Sequence, residues 1–269
     1  MCLLVVASRV IAGNPLVIGA NRDEYFDRPS TSMTVLSEAG PRILGGRDER
    51  SGGTWLAVNE HGVFAGLTNL PLGGQADPTR RSRGELPLAL ASHPDAPSAV
   101  EAFISSYRPA DYNGAWLLVG DRTSLYFIDF TGSVPLDALA LPPGLYVLEN
   151  RALGEPSAKV DRVRAALGAA SGREGDGSED DASEGDGYGD ADTFMIRLRG
   201  VLANHQMPEP SGVEGGPKGA ANCVHLDGYG TRSSCLLRYR DDPATPPQVW
   251  VADGPPCTTP FLEVRLWSA

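Results

Sequence analysis

Two stretches near the start of the chain, Met1-Cys2-Leu3-Leu4 and Ala20-Asn21-Arg22-Asp23-Glu24-Tyr25, decide both the fold and the chemistry it can carry. Removal of Met1, which the small side chain of Cys2 permits, would leave one residue carrying both a thiol and a free α-amine. The thiolate is the reactive form of cysteine, and a neighbouring amine can take the thiol proton. Because an α-amine has an ordinary pKa of about 7.7–8.0, part of it is unprotonated near neutrality. The alternative is that Cys2 is only the residue after the initiator.

The apolar runs on either side of the first turn predict a hairpin. Leu3–Ala7 and Leu16–Gly19 are separated by Ala12-Gly13-Asn14-Pro15, a sequence typical of a turn. Both runs are continuously apolar, which indicates strands covered on both faces. On this pairing we expect the charged run 21–24 to emerge at a strand end within reach of Cys2; the alternative for such a run is a solvated turn.

The order of the remaining segments predicts further hairpins linked by helices. Ser82 and Glu85 have the spacing of a capping box, and Asp192 or Thr193 is positioned to cap a later helix. Sheets buried on both faces need helical covers, so the residues predict an α+β fold with mostly antiparallel sheets. The predicted helices are one that follows the Ser82 cap and runs to about residue 91, then 97–107, 157–166 and 192–203; the predicted later strands are 54–59, 63–67, 115–119, 124–130, 145–148, 235–239, 248–252 and 261–266.

Two asparagines occupy the same kind of position. Asn69 and Asn150 each follow an apolar strand directly. An amide N–H at a strand end can donate to an oxyanion, so both are candidate catalytic residues. The alternative is that each is a loop residue whose side chain bonds to the backbone.

Charge and hydropathy exclude several classes of protein. The formal net charge is −11, and most of it comes from the acidic segment Ser171–Asp192, which argues against nucleic-acid binding because no basic footprint remains. We predict a disordered acidic insert at 171–190 within a single domain covering residues 1–269. No apolar run reaches the length of a membrane span and no secretory signal is visible, so we expect a cytoplasmic protein.

The cysteines and histidines predict neither a metal site nor a cofactor. Their spacings match no metal template and contain no CxxC motif, and the low cysteine count fits a reducing compartment. The residues are Cys2, Cys223, Cys235, Cys257, His61, His93, His205 and His225.

Several short motifs, taken together and in order, resemble the NRDE family, also called the transport and Golgi organization 2 family. Each motif is weak alone, but they run from Cys2 to Ser234 and so cover most of the chain. They are Asn21-Arg22-Asp23-Glu24, Gly52-Gly53-Thr54-Trp55-Leu56, Gly66-Leu67-Thr68-Asn69, Arg81-Ser82-Arg83-Gly84-Glu85-Leu86, Asn113-Gly114 and Tyr229-Gly230-Thr231-Arg232-Ser233-Ser234.

The resemblance implies a four-layer αββα sandwich, the N-terminal-nucleophile hydrolase fold. The family is similar in fold and N-terminus to acylases that cut penicillin V and bile-salt conjugates. It therefore implies a hydrolase of linear, non-peptide amide bonds, in which the Cys2 thiolate attacks a carbonyl and forms a thioester. On this reading Asn69 and Asn150 would stabilise the oxyanion.

The resemblance also implies roles for charged residues. Arg22 would lower the pKa of the thiol by its positive charge, and Asp23 or Glu24 would orient the α-amine. Arg232 would enter from a distant strand and hold a carboxylate. The acylases place their arginine and acid three residues apart, whereas Arg22 and Asp23 are adjacent, which leaves the choice of acid open.

A non-enzymatic alternative stays open. Members of the family are linked to haem trafficking and to acyl-CoA or lipid handling, so the small-molecule partner would be either an acyl amide or a haem or lipid ligand. The sequence has no Cys-Pro dipeptide or CxxCH motif, and His61 lies in a predicted turn. A hydrolase needs the α-amine of Cys2 to be free, whereas a carrier tolerates a retained Met1. A further option is that the acidic segment binds a protein partner.

Overall fold

The computed structural model describes residues 2–71, 76–168, 188–207 and 221–267. Within these residues the chain forms two seven-stranded antiparallel sheets and four α-helices. The strands are β1 (Cys2–Ile11), β2 (Asn14–Tyr25), β3 (Ser30–Ser37), β4 (Ile43–Asp48), β5 (Leu56–Asn59), β6 (Phe64–Asn69), β7 (Ala115–Gly120), β8 (Leu125–Phe130), β9 (Ala138–Ala140), β10 (Gly144–Leu148), β11 (His225–Leu226), β12 (Tyr229–Arg238), β13 (Gln248–Ala252) and β14 (Leu262–Val264). The helices are α1 (Glu85–Ala91), α2 (Ala96–Ser106), α3 (Ala158–Leu167) and α4 (Ala191–Leu202).

The two sheets pack face to face with helices outside them. Sheet A has the order β10-β1-β2-β12-β13-β14, with β11 beside β12, and sheet B runs from β3 to β9 in chain order. Strand alternation sends Leu4 and Val6 into the core between the sheets and Leu3 and Val5 against α3 and α4. The helices α1 and α2 cover the outer face of sheet B. The predicted α+β, four-layer αββα sandwich is therefore confirmed.

The predicted first hairpin forms, but its charged run lies elsewhere than expected. We expected residues 21–24 to emerge beyond a strand end, whereas β2 continues through Tyr25. The reason is a second partner strand: Asp23 pairs with Thr231 of β12, so the backbone of the run is hydrogen-bonded within the sheet. Arg22 and Asp23 are consequently buried rather than solvated.

The sequence reading missed β3 and β4, which it assigned to loop and turn. The pair Gly45-Gly46 hides β4, because glycine is depleted in strands. A Cβ on Gly46 would lie 1.9 Å from the ring of Trp55, so the missing side chain makes room for that indole. Glycine here reflects close packing across the sheet face rather than a turn.

Two predicted helix starts are wrong, and the helix boundaries are otherwise close. Ser82 does not cap α1: its Oγ accepts from the backbone N–H of Gly84, and the N-cap residue Gly84 makes no side-chain bond. The cap of α4 is Asp190, whose carboxylate accepts from the backbone N–H groups of Asp192 and Thr193. An acceptor before the first turn satisfies two orphan donors, which Asp192 inside that turn cannot do.

The predicted acidic insert lies largely outside the described residues, which resume at residue 188 after residue 168. Its disorder and the single-domain assignment for 1–269 stay predictions. Among the helices in the described ranges, none is long and apolar enough to cross a membrane.

Candidate active site

The register of the first hairpin places Cys2 beside Arg22. Cys2 opens β1 and is the cross-strand partner of Arg22 in β2. The central position of β2, between β1 and β12, brings residues from both ends of the chain to the same strand. The half-buried Cys2 therefore lies where the family-like motifs of β1, β2 and β12 meet.

The backbone nitrogen of Cys2 has a dedicated acceptor. It donates to Asn150 Oδ1 over 3.1 Å, and Asn150 Nδ2 donates to the carbonyl oxygen of Asn69 over 2.5 Å. The Cys2 nitrogen is a donor and the Asn69 carbonyl oxygen is an acceptor, so together they fix the orientation of the Asn150 side-chain amide. Thr68 Oγ1 donates to the carbonyl oxygen of Glu149 over 2.7 Å and ties the same two strand ends together.

This arrangement gives Asn150 a contact that the sequence did not predict. One of its two amide hydrogens bonds to the carbonyl oxygen of Asn69 and its Oδ1 accepts from the Cys2 nitrogen, so Asn150 positions that nitrogen. The second amide hydrogen is still available to an oxyanion, so that role of Asn150 stays a prediction. Asn69 contributes its backbone carbonyl, and its side-chain amide makes no hydrogen bond within the part of the chain that the structure describes. The role of Asn69 as an oxyanion donor stays a prediction.

Arg22 is buried against an aromatic ring and between two carboxylates. Its guanidinium carbon lies 4.5 Å from the centre of the Trp55 ring, and Nη2 lies 3.7 Å from Glu24 Oε2 and 3.8 Å from Asp48 Oδ2. Burial lowers the pKa of Arg22 from its ordinary value, and the negative charges of Cys2 and Glu24 act in the opposite direction. Trp55 and the two carboxylates therefore hold a fixed cation beside the sulfur.

The Cys2 thiol does not ionise readily by itself. Burial raises the pKa of the thiol, and the charge of Asp23 adds to that effect. The backbone N–H of Asp23 and the charge of Arg22 lower the pKa, but they do not outweigh burial. A buried thiol of this kind needs a base at hand to become a nucleophile.

The structure separates the two acids that the sequence left as alternatives. Asp23 is buried and accepts from Thr231 Oγ1 over 2.6 Å, and its negative charge raises the pKa of the Cys2 thiol. Glu24 is engaged by Arg22 and by Arg28, whose Nε lies 3.7 Å from Glu24 Oε2. Burial raises the pKa of Asp23, and the positive charge of Lys159 opposes that rise. Asp23 is thus the acid that interacts electrostatically with the Cys2 thiol, whereas Glu24 forms ion pairs with Arg22 and Arg28.

Among the described residues, Arg232 contacts no carboxylate. Its Nη1 donates to the carbonyl oxygen of Phe26 over 2.5 Å, and its guanidinium lies 5.9 Å from the centre of the Phe26 ring. The reason is a register shift between Thr231 and Ser233 in the β2–β12 pairing. At that irregularity Thr231, not Arg232, reaches the buried acid.

Sequence reasoning missed two cations near the site, Lys159 and Arg83. Lys159 is a buried lysine on the helix face that covers sheet A, and an isolated lysine in an amphipathic helix gives no signal of burial. Arg83 is half-buried, and burial lowers its pKa while the charge of Cys2 raises it. Arg83 lies in the motif Arg81-Ser82-Arg83-Gly84-Glu85-Leu86, but the sequence suggests a role only for Ser82, as a helix cap.

A close crossing of two glycines brings Arg83 to the site. A Cβ on Gly53 would lie 2.5 Å from the carbonyl carbon of Gly84, and the N–H of Thr54 donates to the carbonyl oxygen of Gly84 over 3.0 Å. Two backbones can approach this closely only when neither carries a side chain. The loop before α1 is consequently fixed against the segment that carries Trp55, directly before β5.

Comparison with known proteins agrees with this arrangement. A family model described as "Transport and Golgi organisation 2" matches residues 1–244. The human "Transport and Golgi organization protein 2 homolog" is 31% identical over 239 residues, which cover 82% of this chain and 81% of that protein. The homologue from Mus musculus is 29% identical over 242 residues, with the same coverage of 82% and 81%.

Solved structures with the same fold are hydrolases. The N-acylethanolamine-hydrolyzing acid amidase orthologue of Caenorhabditis elegans superposes with a TM-score of 0.55 at 12% identity, covering 98% of this chain and 100% of that one. Penicillin V acylase from Agrobacterium tumefaciens gives a TM-score of 0.55 at 10% identity, covering 100% of this chain and 87% of that one. The fold of this chain is therefore that of the N-terminal-nucleophile hydrolases.

Proposed function

The chain belongs to the transport and Golgi organisation 2 family, and we propose that it acts there as an N-terminal-cysteine hydrolase of linear, non-peptide amide bonds. The observation that carries the proposal is the contact between the Cys2 nitrogen and Asn150 Oδ1. It positions the nitrogen that becomes a free amine when Met1 is removed. The fold shared with amidases supports the proposal at the level of architecture alone.

In the proposed reaction the α-amine of Cys2 takes the proton of the thiol. The thiolate attacks the substrate carbonyl carbon and a carbon–sulfur bond forms. When the carbon–nitrogen bond breaks, the proton held on the α-amine passes to the departing amine, which leaves a thioester. Water, deprotonated by the same amine, then cleaves the thioester and releases a carboxylic acid while the thiol is restored.

The surrounding residues supply electrostatics and orientation in this proposal. Arg22, held by Trp55, stabilises the thiolate against the effect of burial. Asp23 is assigned the orientation of the α-amine because it is buried next to Arg22, the cross-strand partner of Cys2. Asn69, whose side-chain amide makes no hydrogen bond within the described ranges, is the proposed oxyanion donor. Asn150 holds the amine through Oδ1, and the second hydrogen of its amide, the one not bonded to Asn69, is a further proposed oxyanion donor.

The first test is the intact mass of the purified protein, with and without a thiol-alkylating reagent near neutral pH. We expect the mass to lack Met1 and one label to enter at Cys2 faster than at N-acetylcysteine, an ordinary thiol added as the reference. The amine beside the sulfur is the reason, because it raises the thiolate fraction. Retained Met1 with Cys2 no faster than N-acetylcysteine would contradict the proposal.

That contrary result would favour a carrier on the same fold. The relatives' names refer to transport and Golgi organisation and not to a reaction. The ligand would then be haem or an acyl-CoA or lipid, bound with an affinity that does not depend on Cys2. For either function we propose a small-molecule partner and a cytoplasmic location, supported by the low cysteine count.

Arg83 suggests which amides are the substrates. Arg22 and Arg28 are neutralised by Glu24 and Asp48, whereas Arg83 forms no ion pair within the described residues. Its hydrogen bond is to the carbonyl oxygen of Gly114 over 3.3 Å. An unpaired guanidinium near the nucleophile favours a substrate that carries an anionic group, so Arg83 takes the carboxylate-binding role that the sequence assigned to Arg232.

Substitution of Arg83 by glutamine tests this assignment. For an amide whose leaving group carries a carboxylate, we expect KM to rise about tenfold to a hundredfold, the worth of a hydrogen bond to a charged group. For the neutral amide of the same acyl chain we expect KM to stay within about twofold. The control is Arg81→Gln, which removes an exposed arginine two residues away. Equal KM changes for both substrates would contradict the assignment.

A further inference from the structure

Outside the candidate active site, four side chains of metal-binding type come together near the C-terminal end of α4. His205, Cys223, His225 and Cys257 each offer one ligand atom, and these atoms all lie within 4.8 Å of one another. Three segments supply them: the turn after α4, the stretch leading into β12 and the loop after β13. The spacing of these residues in the sequence predicted no metal site, because the fold brings them together from distant parts of the chain.

The distances among Cys223, His225 and Cys257 are close to those around one tetrahedral ion, and His205 lies beside them. With metal–sulfur bonds of about 2.3 Å and metal–nitrogen bonds of about 2.0–2.1 Å, tetrahedral geometry separates two sulfurs by about 3.8 Å and sulfur from nitrogen by about 3.6 Å. Cys223 Sγ and Cys257 Sγ are 3.7 Å apart. His225 Nε2 lies 3.4 Å from Cys223 Sγ and 3.2 Å from Cys257 Sγ. The ring centres of His205 and His225 are 4.8 Å apart.

We propose that His205, Cys223, His225 and Cys257 bind one Zn²⁺ ion. Two thiolates and two imidazoles in a tetrahedral arrangement are the donor set of structural zinc sites, and they suit zinc better than the oxygen-preferring ions magnesium or calcium. Four protein ligands complete the coordination shell and leave no open position for water. The site is therefore structural and takes no part in the amide chemistry.

Neighbouring hydrogen bonds hold the ligand-bearing segments in place. The N–H of Cys223 donates to the carbonyl oxygen of Asn204 over 2.9 Å. Because Asn204 directly precedes His205, this bond holds the backbones of two proposed ligands, Cys223 and His205, next to each other. Asn222 Nδ2 donates to the carbonyl oxygen of Val201 over 2.9 Å. Asn21 of β2 donates to the carbonyl oxygens of Leu202 and Asn222 over 2.9 and 2.8 Å. A site fixed in this way needs little rearrangement to receive an ion.

The cluster also connects to the acid of the candidate active site. Val224, which lies between two of the ligands, accepts from the N–H of Thr231 and donates to Thr231 Oγ1, both over 2.9 Å. The same hydroxyl donates to Asp23 Oδ1 over 2.6 Å. Zinc binding would fix residues 223–225 and, through them, the hydroxyl that orients Asp23.

The test is the metal content of reduced, tag-free protein by inductively coupled plasma mass spectrometry. We expect about one zinc per chain, lost on treatment with a strong chelator together with a lower Tm. Replacement by Co²⁺ is expected to give the visible bands of a tetrahedral ion and a thiolate-to-cobalt charge-transfer band. These readouts do not depend on any enzymatic activity.

Variants locate the ion. Cys223→Ser and His205→Ala are each expected to weaken zinc affinity at least about tenfold, since even loss of an outer-shell partner costs that much. His205 is exposed, so its replacement disturbs no packing and covers the case in which Cys223→Ser fails to fold. The controls Cys235→Ala and His61→Ala, with residues outside the cluster, are expected to keep full zinc content.

Three results would overturn the proposal. One is reduced apo-protein that binds neither Zn²⁺ nor Co²⁺ in titration. Another is a native Cys223–Cys257 disulfide, detected as a loss of two hydrogens in the non-reduced mass. The third is zinc content that is equal in the wild type, the Cys223→Ser variant and the His205→Ala variant, which would place the ion elsewhere.

Discussion

Protein that keeps any residue in front of Cys2 is expected to turn over amides about 10²–10⁴-fold more slowly than protein that begins with Cys2, the usual worth of a general base. An extension converts the α-amine into a peptide nitrogen, whose lone pair is delocalised into the carbonyl group and does not accept the thiol proton. The sulfur, Arg22 and Asn150 stay in place, because the Cys2 nitrogen keeps a hydrogen to donate to Asn150 Oδ1. The loss is therefore expected in kcat, with little change in KM.

One protein preparation supplies both sides of this comparison. A chain with a protease-cleavable tag directly before Cys2 is assayed before and after cleavage against a panel of acyl amides. The cleaved Cys2→Ala variant is the matched control for background hydrolysis, and an adduct on the intact mass reports the thioester. Equal rates before and after cleavage would mean that the α-amine is not the base.

The parts of the site that the sequence predicts are those encoded within one hairpin. Cys2 and Arg22 face each other because a short turn fixes the register of β1 and β2, and the apolar runs reveal both strands. The α+β, mostly antiparallel character follows from the same reasoning, because strands buried on both faces require helices outside them, whereas the four-layer αββα order came from the family resemblance. Local pattern is sufficient here because the partners are adjacent in the chain.

The parts that the sequence could not predict depend on partners far along the chain. Asn69 and Asn150 look alike in sequence, yet Asn150 faces the Cys2 nitrogen and Asn69 contributes its carbonyl oxygen. Arg232 and Thr231 are neighbours in one motif, and a register shift decides which of them reaches Asp23. Such outcomes depend on strand register and hydrogen-bond direction, and neither leaves a trace in residue spacing.

Lys159 is the least expected part of the site, and its replacement by methionine has a large expected effect on stability. Lys159 is 3% exposed and Asp23 is 4% exposed, and the charge of the lysine lowers the pKa of that carboxyl against the larger effect of burial. Lys159→Met removes one of the positive charges that lower the pKa of Asp23, so the buried carboxylate loses part of its compensation. We expect the substitution to reduce the free energy of unfolding by about 1–3 kcal/mol, the usual cost when a buried polar group loses a partner, measured by urea denaturation near pH 7.

The control and the double variant separate charge from packing. Arg197→Met makes a similar change at an exposed position of α4 and is expected to alter stability by less than about 0.5 kcal/mol. If the buried Asp23 carboxylate causes the loss of stability, Asp23→Asn in the Lys159→Met background is expected to recover part of the free energy of unfolding. The effects of the two substitutions will then not be additive. Strict additivity would show that the two groups are not coupled.

The pH dependence of the stability difference between wild type and Lys159→Met separates the effect of the buried charge from that of packing. Burial raises the folded-state pKa of Asp23 above the unfolded value of about 3.9, and loss of Lys159 is expected to raise it further. A carboxyl whose pKa is raised by folding contributes stability below its unfolded pKa and loses that contribution as pH rises through its folded pKa. The gap between wild type and Lys159→Met is therefore expected to narrow as the pH falls from 7 towards 4, because a protonated Asp23 needs no cation. A gap that stays constant over that range would assign the loss to packing of the lysine stem rather than to the buried charge.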